Sequence, residues 1–223
     1  MTGYSQKTKQ VSDYVIGIDF DNTIINYDKV MYEVASEHGV VPEKIKKNKR
    51  EIRDWVRKLP NGEIEWQKIQ AIVYGPRILD ATLVDGVKNF FELCKQKKAT
   101  VYIISHKTKY SNLYKRGTDL RATALNWMEK NHFFDAISLS KEKVHFESTR
   151  DEKIEKIRSL GCTYFIDDME EVFLSDNFPK NVKKILYAPN QDSRSYHGLP
   201  QVKDLNIFGN WNEICNYIFN ERV

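Results

Sequence analysis

Short apolar runs rich in β-branched and aromatic residues recur along the chain, each bounded by polar or turn-forming positions. Runs of this kind are typical of strands buried inside a parallel sheet. We predict strands at Tyr14–Ile18, Thr100–Ile104, Ala136–Leu139, Thr163–Ile166 and Lys184–Ala188, with an edge strand at Leu205–Phe208.

Helical periodicity fills several of the segments between these strands. We predict helices at Leu83–Lys95, Arg121–Glu129, Asp151–Ser159 and Trp211–Phe219. Because strand and helix alternate, the pattern predicts an α/β fold whose parallel strands are joined by right-handed crossovers.

Residues 24–82 break this alternation, since helical periodicity persists there without a convincing buried strand. One amphipathic helix is predicted, and its apolar face consists of Ile45, Ile52, Trp55, Val56 and Leu59. We predict that residues 24–82 form a small α-helical cap inserted after the first strand, and that residues 1–23 and 83–223 form the α/β core. The basic residues on the other face of the helix either form a solvated surface or attract an anionic substrate.

Composition argues against several classes of protein. The 223 residues include 35 Lys and Arg against 31 Asp and Glu, and a net charge of +4 is too small for a dedicated nucleic-acid binder. No apolar run approaches the roughly 20 residues of a membrane helix, and the first ten residues lack the apolar centre of a secretion signal. We therefore expect a cytoplasmic protein that binds neither nucleic acid nor a membrane. The widely spaced Cys94, Cys162 and Cys215 indicate free thiols rather than a disulfide or zinc site.

Acidic and hydroxyl side chains stand where three of the predicted strands end. Asp19 and Asp21 follow the first strand, Ser105 ends the second, and Asp167 and Asp168 end another. Because ligands bind an open parallel sheet at the carboxyl ends of its strands, we expect these side chains to converge. Four carboxylates at one place repel each other unless a cation lies among them. We expect Mg²⁺, which suits carboxylates together with water and a phosphate group.

These residues, in this order, resemble the four motifs of the haloacid dehalogenase (HAD) superfamily, which here are Asp19–Thr23, Ser105, Lys153 at the start of a helix, and Asp167–Asp168. The resemblance covers roughly residues 14–190. It implies a Rossmann-like three-layer sandwich with a parallel sheet. It also implies a Mg²⁺-dependent phosphatase that acts through an aspartyl-phosphate on a small phosphorylated metabolite, either a sugar phosphate or a nucleotide.

The resemblance also implies a role for each matching residue. Asp19 would attack phosphorus, and Asp21 would protonate the leaving oxygen and later deprotonate the attacking water. Ser105 would hydrogen-bond a phosphate oxygen, and Lys153 would neutralise the phosphoryl charge and hold Asp19 in line. Thr23 would fix the loop at the phosphate site.

Metal binding would fall to the acids. Asp19, Asp167 and the backbone carbonyl of Asp21 would bind Mg²⁺, and Asp168 would orient a water bound to it. The second acid of the first motif, Asp21, also favours a phosphatase over a dehalogenase, because a leaving halide needs no proton.

Several alternatives stay open at this stage. Ser105 could be a turn former, Lys153 a solvated helix residue, and Asp168 the N-cap of a helix near Met169. The polar connection at residues 106–120 either recognises the substrate or is a solvated loop, and His106 is the histidine best placed to contact a ligand.

Two other functions are compatible with the same residues. The fold could serve as a catalytically silent scaffold that binds a partner, although a silent site has no need of mutually repelling acids. It could also transfer the phosphoryl group from Asp19 to an acceptor other than water.

Overall fold

A computed structural model describes residues 14–111, 113, 117–135, 137, 139–189 and 204–219. The strands in these residues are β1 (Val15–Ile18), β2 (Ile25–Asn26), β3 (Thr82–Leu83), β4 (Thr100–His106), β5 (Val144–Glu147), β6 (Tyr164–Asp167), β7 (Lys183–Tyr187) and β8 (Leu205–Phe208). The α-helices are α1 (Asp28–Glu37), α2 (Lys49–Val56), α3 (Gly62–Val73), α4 (Val87–Gln96), α5 (Leu120–Lys130), α6 (Arg150–Ser159), α7 (Glu170–Phe173) and α8 (Trp211–Phe219).

Among the described residues, six strands form one parallel sheet in the order β5-β4-β1-β6-β7-β8. Strand β1 lies in the interior of the sheet between β4 and β6. Its last residue, Ile18, is in register with Ile103 of β4 and Ile166 of β6. The residues that follow Ile18, Ile103 and Ile166 therefore emerge side by side at the carboxyl edge of the sheet.

Both faces of the sheet are covered, because successive side chains of a strand point to opposite sides. Ile103, Ile166 and Ile185 belong to an apolar cluster that includes residues of α4, α5 and α8. The residue adjacent to each of these in its strand packs in a second cluster with residues of α6 and α7. These adjacent residues are Ile104, Phe165 and Leu186. Helices therefore flank the sheet on both faces, which confirms the predicted α/β sandwich.

One predicted strand is wrong. Ile137 and Leu139 are buried but lie outside any strand, while Ala136 and Ser138 fall outside the described residues. The strand that pairs with β4 on the side away from β1 is instead β5, in which the polar His145 and Glu147 alternate with Val144 and Phe146. At the edge of the sheet its side chains are only partly buried, so β5 lacks the continuous apolar run of an interior strand.

Helices α1, α2 and α3 occupy most of residues 24–82, as the periodicity indicates. Two short strands that the pattern did not predict, β2 and β3, pair antiparallel at the two ends of this segment. Helix α2 buries Ile52 and Val56, but Trp55 is 43% exposed, contrary to its predicted place on the apolar face. The division into core and cap stays a prediction. No helix among the described residues is long and apolar enough to cross a membrane.

Helix α8 docks against the start of α4 through a glycine. Gly86 precedes α4 with φ of +85°, and a Cβ atom there would lie 2.8 Å from Cβ of the fully buried Trp211.

We expect Gly86→Ala to lower the free energy of unfolding by about 3 kcal/mol, because backbone strain and overpacking add. Gly39→Ala is the control, since φ is +66° there and no atom lies within 4 Å of the added Cβ. It should cost about 1 kcal/mol. Equal losses in urea unfolding would contradict the Trp211 contact.

Candidate active site

The centre of the site is a buried lysine between two buried aspartates. Asp19 directly follows β1, and Asp167 is the last residue of the neighbouring β6. The Lys153 Nζ donates to Asp19 Oδ1 and to Asp167 Oδ2, both at 2.6 Å. All three side chains are almost fully buried. Burial alone would lower the pKa of Lys153, but the two carboxylates outweigh it and raise that pKa, so the ammonium stays charged.

Local sequence explains why α6 presents Lys153 here. Thr149 and Glu152 form a capping box, in which Glu152 N–H donates to Thr149 Oγ1 and the Glu152 carboxylate accepts from Thr149 N–H. This cap begins the helix at Arg150 and places Lys153 in its first turn. The side chain then points back toward the carboxyl edge of the sheet, which excludes the solvated alternative for Lys153.

A third acid completes a cluster of oxygen donors. One carboxylate oxygen each from Asp19, Asp167 and Asp168 lies within 4.8 Å of the others. Burial raises the pKa of both Asp167 and Asp168, and the neighbouring carboxylates add to that rise. Hard oxygen donors at this spacing fit a divalent metal ion. Asp168 does not cap α7, whose N-cap residue is Met169 and has no side-chain capping bond.

Asp21 lies outside this cluster and has different partners. Its carboxylate accepts two hydrogen bonds from Lys107 Nζ, at 2.8 and 3.0 Å, and one from the Tyr27 hydroxyl at 2.6 Å. Burial raises the pKa of Asp21, but the charge and hydrogen bonds of Lys107 and the hydroxyl of Tyr27 outweigh burial and hold it below its usual range. As the structure stands, Asp21 is therefore ionised at neutral pH.

A tight turn begins directly after Asp19 and contains Asp21. Asn22 has φ of +60°, a left-handed conformation that asparagine tolerates better than most residues. The N–H groups of Ile24 and Ile25 both donate to the carbonyl of Phe20, closing the turn. Thr23 is fully buried inside it. Asp19 precedes the turn and pairs with Lys153, whereas Asp21 lies within the turn and pairs with Lys107.

Two hydroxyl oxygens of the predicted site, Thr23 Oγ1 and Ser105 Oγ, are buried and have no hydrogen-bond partner among the described residues. Ser105 lies on β4 beside β1 and lines the same crevice as Asp19, Asp168 and Lys153, a space of about 180 Å³. A buried hydroxyl needs a partner, so Ser105 Oγ is suited to bind an oxygen of a ligand in that crevice.

His106 also lines this crevice, but its side chain is exposed and its Nε2 lies 3.0 Å from the Ser148 carbonyl oxygen. Lys109, in the connection after β4, pairs with Asp119 at 3.8 Å. Tyr114, Lys115 and Arg116 of that connection fall outside the described residues. Substrate contacts by His106 and by this connection stay predictions.

Comparison with solved structures reveals the wider relationship. A haloacid dehalogenase-like hydrolase from Streptococcus pneumoniae superposes with a TM-score of 0.60 at 14% identity, over 94% of this chain and 100% of that one. A HAD hydrolase of family IA, variant 3, from Entamoeba histolytica superposes with a TM-score of 0.56 at 15% identity, over 90% of this chain and 94% of that one. A HAD family hydrolase from Deinococcus radiodurans was solved with bound phosphate and sodium. It superposes with a TM-score of 0.54 at 9% identity, over 94% of this chain and 96% of that one.

This chain has the HAD fold. The resemblance inferred from its four motifs is thereby confirmed at the level of the fold. No protein-family model matches the sequence, and no curated protein matches it. The HAD fold accounts for the convergence, since the predicted residues Asp19, Ser105 and Asp167 all lie at the carboxyl edge of its sheet.

Sequence reasoning did not assign Lys107, Tyr27 or Lys49 to the site. The signal for Lys107 is strand alternation. Residue 105 is buried, 106 exposed and 107 buried, so Lys107 faces the same side as Ser105. Lys49 also lines the crevice. Burial alone would lower the pKa of Lys49, but Tyr74 and then Asp168 outweigh burial and raise that pKa above its usual range. Nothing in the local sequence distinguishes Lys49 from the neighbouring lysines.

The structure predicts strong coupling between Lys153 and Asp19. Lys153→Met leaves two buried carboxylates without their cation, so it should cost roughly 3 kcal/mol of unfolding free energy in EDTA. In an Asp19→Asn background, where one of the charges is already gone, the same change should cost clearly less.

Urea unfolding followed by tryptophan fluorescence measures this cycle. Lys156→Met is the matched control on the same helix, because the partly exposed Lys156 pairs with Glu147 at 3.5 Å. Lys156→Met should lower the free energy of unfolding by less than about 1 kcal/mol. An additive result for Lys153 and Asp19 would show that the buried pair does not contribute as described.

Proposed function

We propose that this protein is a Mg²⁺-dependent phosphomonoester hydrolase that acts on a small phosphorylated metabolite through an aspartyl-phosphate at Asp19. The observation that carries the proposal is the sharing of one crevice by Asp19, Lys153 and the unpartnered hydroxyl of Ser105. A nucleophile, a fixed positive charge and a hydrogen-bond donor are what a transferring phosphoryl group requires. The phosphate bound to the structurally similar Deinococcus radiodurans hydrolase supports this direction.

The acidic cluster suits Mg²⁺. Asp19, Asp167 and Asp168 would hold the ion, and the oxygen-only donor set favours Mg²⁺ over metals that prefer nitrogen or sulfur ligands. The bound ion would supply positive charge that offsets the negative charge of the phosphate and of the three acids. The backbone carbonyl of Asp21 is proposed as a further ligand.

In the first step, a carboxylate oxygen of Asp19 attacks phosphorus as the bond from phosphorus to the ester oxygen breaks. Lys153 holds Asp19 through Oδ1 and adds positive charge beside the phosphoryl oxygens, while Ser105 donates to one of them. The ester oxygen leaves as an alcohol once Asp21 transfers its proton to it. Asp21 must therefore be protonated at this point, and the negative charge of the nearby phosphate raises its pKa toward that state.

In the second step, Asp21 acts in its ionised form, the form that Lys107 and Tyr27 favour. The carboxylate takes a proton from a water molecule as the water oxygen bonds to phosphorus. The bond from phosphorus to the Asp19 oxygen then breaks, which releases inorganic phosphate and restores both aspartates. Because Asp19 and Asp21 pair with different lysines, one can stay an ionised nucleophile while the other exchanges a proton.

Asp19→Asn tests the nucleophile. With Mg²⁺, the unaltered protein should release phosphate from an aryl phosphate, and EDTA should stop the release. Asp19→Asn should reduce turnover by at least about 1,000-fold, because an amide cannot form the aspartyl-phosphate. Asp176→Asn, an aspartate between α7 and β7, is the control and should keep full activity. Metal-independent release, or an active Asp19→Asn protein, would overturn the mechanism.

Asp21→Asn tests the proton donor. Turnover of an alkyl phosphate should fall by about 100-fold or more, since an alkoxide leaves poorly without a proton. For an aryl phosphate, the rate of the phosphorylation step, which single-turnover kinetics isolates, should fall much less. Equal losses of that step for the two esters would assign Asp21 a structural role instead.

A further inference from the structure

A second cavity adjoins the crevice on the side of Asp21. It measures about 200 Å³, and Asp21, Tyr74 and His106 line both spaces. If Asp21 protonates the leaving oxygen, as the proposed function requires, the rest of the leaving group extends past Asp21 into this second cavity. We call it the leaving-group cavity.

One wall of the leaving-group cavity is a face of α3. Gln67, Gln70, Ala71 and Tyr74 follow each other at helical spacing and all line it. Gln67 Nε2 donates to Glu63 at 3.4 Å, and within the described part of the chain no group donates to the Gln67 carbonyl oxygen. Among the described residues, nothing hydrogen-bonds the side-chain amide of Gln70. The two amides thus offer both donors and acceptors to a ligand.

Three further lining residues are uncharged as well. Thr108, Ser111 and Leu120 line the cavity, and they come from the connection after β4 and the start of α5. Hydroxyl and amide groups around one cavity suit a ligand with hydroxyls of its own, since each ligand hydroxyl both donates and accepts.

Charge limits the ligand further. Apart from His106, the charged side chains that line the cavity within the described residues are Lys107 and Asp21, and these two neutralise each other. Lys107 already donates to both carboxylate oxygens of Asp21, and that carboxylate offsets its charge, so Lys107 attracts an anion less than an unpaired lysine would. A second phosphate or a carboxylate on the leaving group would lose its water without gaining a cation.

The volume of the cavity also favours a small leaving group. Pockets for drug-sized ligands measure roughly 300 to 1,000 Å³. The leaving-group cavity, at about 200 Å³, suits one small ring better than a base joined to a ribose.

We propose that the substrate is a monosaccharide monophosphate, whose neutral, hydroxylated ring is bound in the leaving-group cavity by Gln67 and Gln70 of α3. The two glutamines determine specificity and take no part in the chemical step. The phosphate group occupies the neighbouring crevice against Asp19, Ser105 and Lys153.

The test compares phosphate release from a panel of hexose monophosphates, a hexose bisphosphate, nucleoside monophosphates and an aryl phosphate, all with Mg²⁺. For the unaltered protein, kcat/KM for the best hexose monophosphate should exceed that for the bisphosphate and for every nucleotide by roughly 10-fold or more. Gln70→Leu preserves side-chain size and removes the amide. It should lower the ratio of kcat/KM for the hexose monophosphate to that for the aryl phosphate by roughly 10-fold or more. Gln96→Leu, at the exposed end of α4, is the control and should leave the ratio unchanged.

The outcomes separate this inference from the proposed function. Hydrolysis of the aryl phosphate with a preference for nucleotides or the bisphosphate would overturn the sugar assignment and leave the phosphatase intact. An unchanged ratio in Gln70→Leu would remove the glutamine from substrate recognition. Failure to release phosphate from any compound, the aryl phosphate included, would overturn the proposed function and the sugar assignment with it.

Discussion

The site depends on one buried ammonium group. Lys153 Nζ lies between the carboxylates of Asp19 and Asp167, which end neighbouring strands and would otherwise repel each other in a region closed to water. Two carboxylates at such proximity cannot both stay ionised without a compensating charge. The ammonium supplies part of that charge, and burial together with the neighbouring carboxylates still raises the pKa of Asp167 and Asp168. A bound cation would complete the balance, and the proposed function would then place metal binding and phosphate chemistry on the same few residues.

A second lysine gives Asp21 an environment of its own. Asp19 and Asp21 are two residues apart, yet Asp19, before the turn, pairs with Lys153, and Asp21, inside the turn, pairs with Lys107. Neighbouring acids in separate environments can differ in pKa and so perform different tasks. The proposed division between nucleophile and proton donor thus has a structural basis in the two lysines, and in that proposal Lys107 positions the proton donor.

In the proposed function, the segment after β1 connects the catalytic residues with those that determine specificity. Tyr27, which precedes α1, hydrogen-bonds Asp21, and Lys49 at the start of α2 lines the crevice near Asp168. Helix α3 adds Gln67 and Gln70 to the space beyond Asp21. Each helix of residues 24–82 therefore has a residue at its start or on its inner face that contacts the site or its extension. A change of sequence in α3 could alter the substrate without touching the aspartates.

The sequence by itself determined the fold class, seen in the apolar runs of β1, β4, β6 and β7, and the residues of the cluster, seen in polar side chains at the ends of those strands. Both follow from local rules, namely that interior strands are continuously apolar and that parallel strands end at a common edge. The half-buried edge strand β5, the exposure of Trp55 and the pairing of Lys107 with Asp21 needed the tertiary structure. A residue's burial and charge partners are set by what packs against it, and residues 21 and 107 meet only when β4 lies beside β1. Local pattern therefore predicts which groups reach the edge of the sheet, whereas the contacts across that edge decide what each group can do.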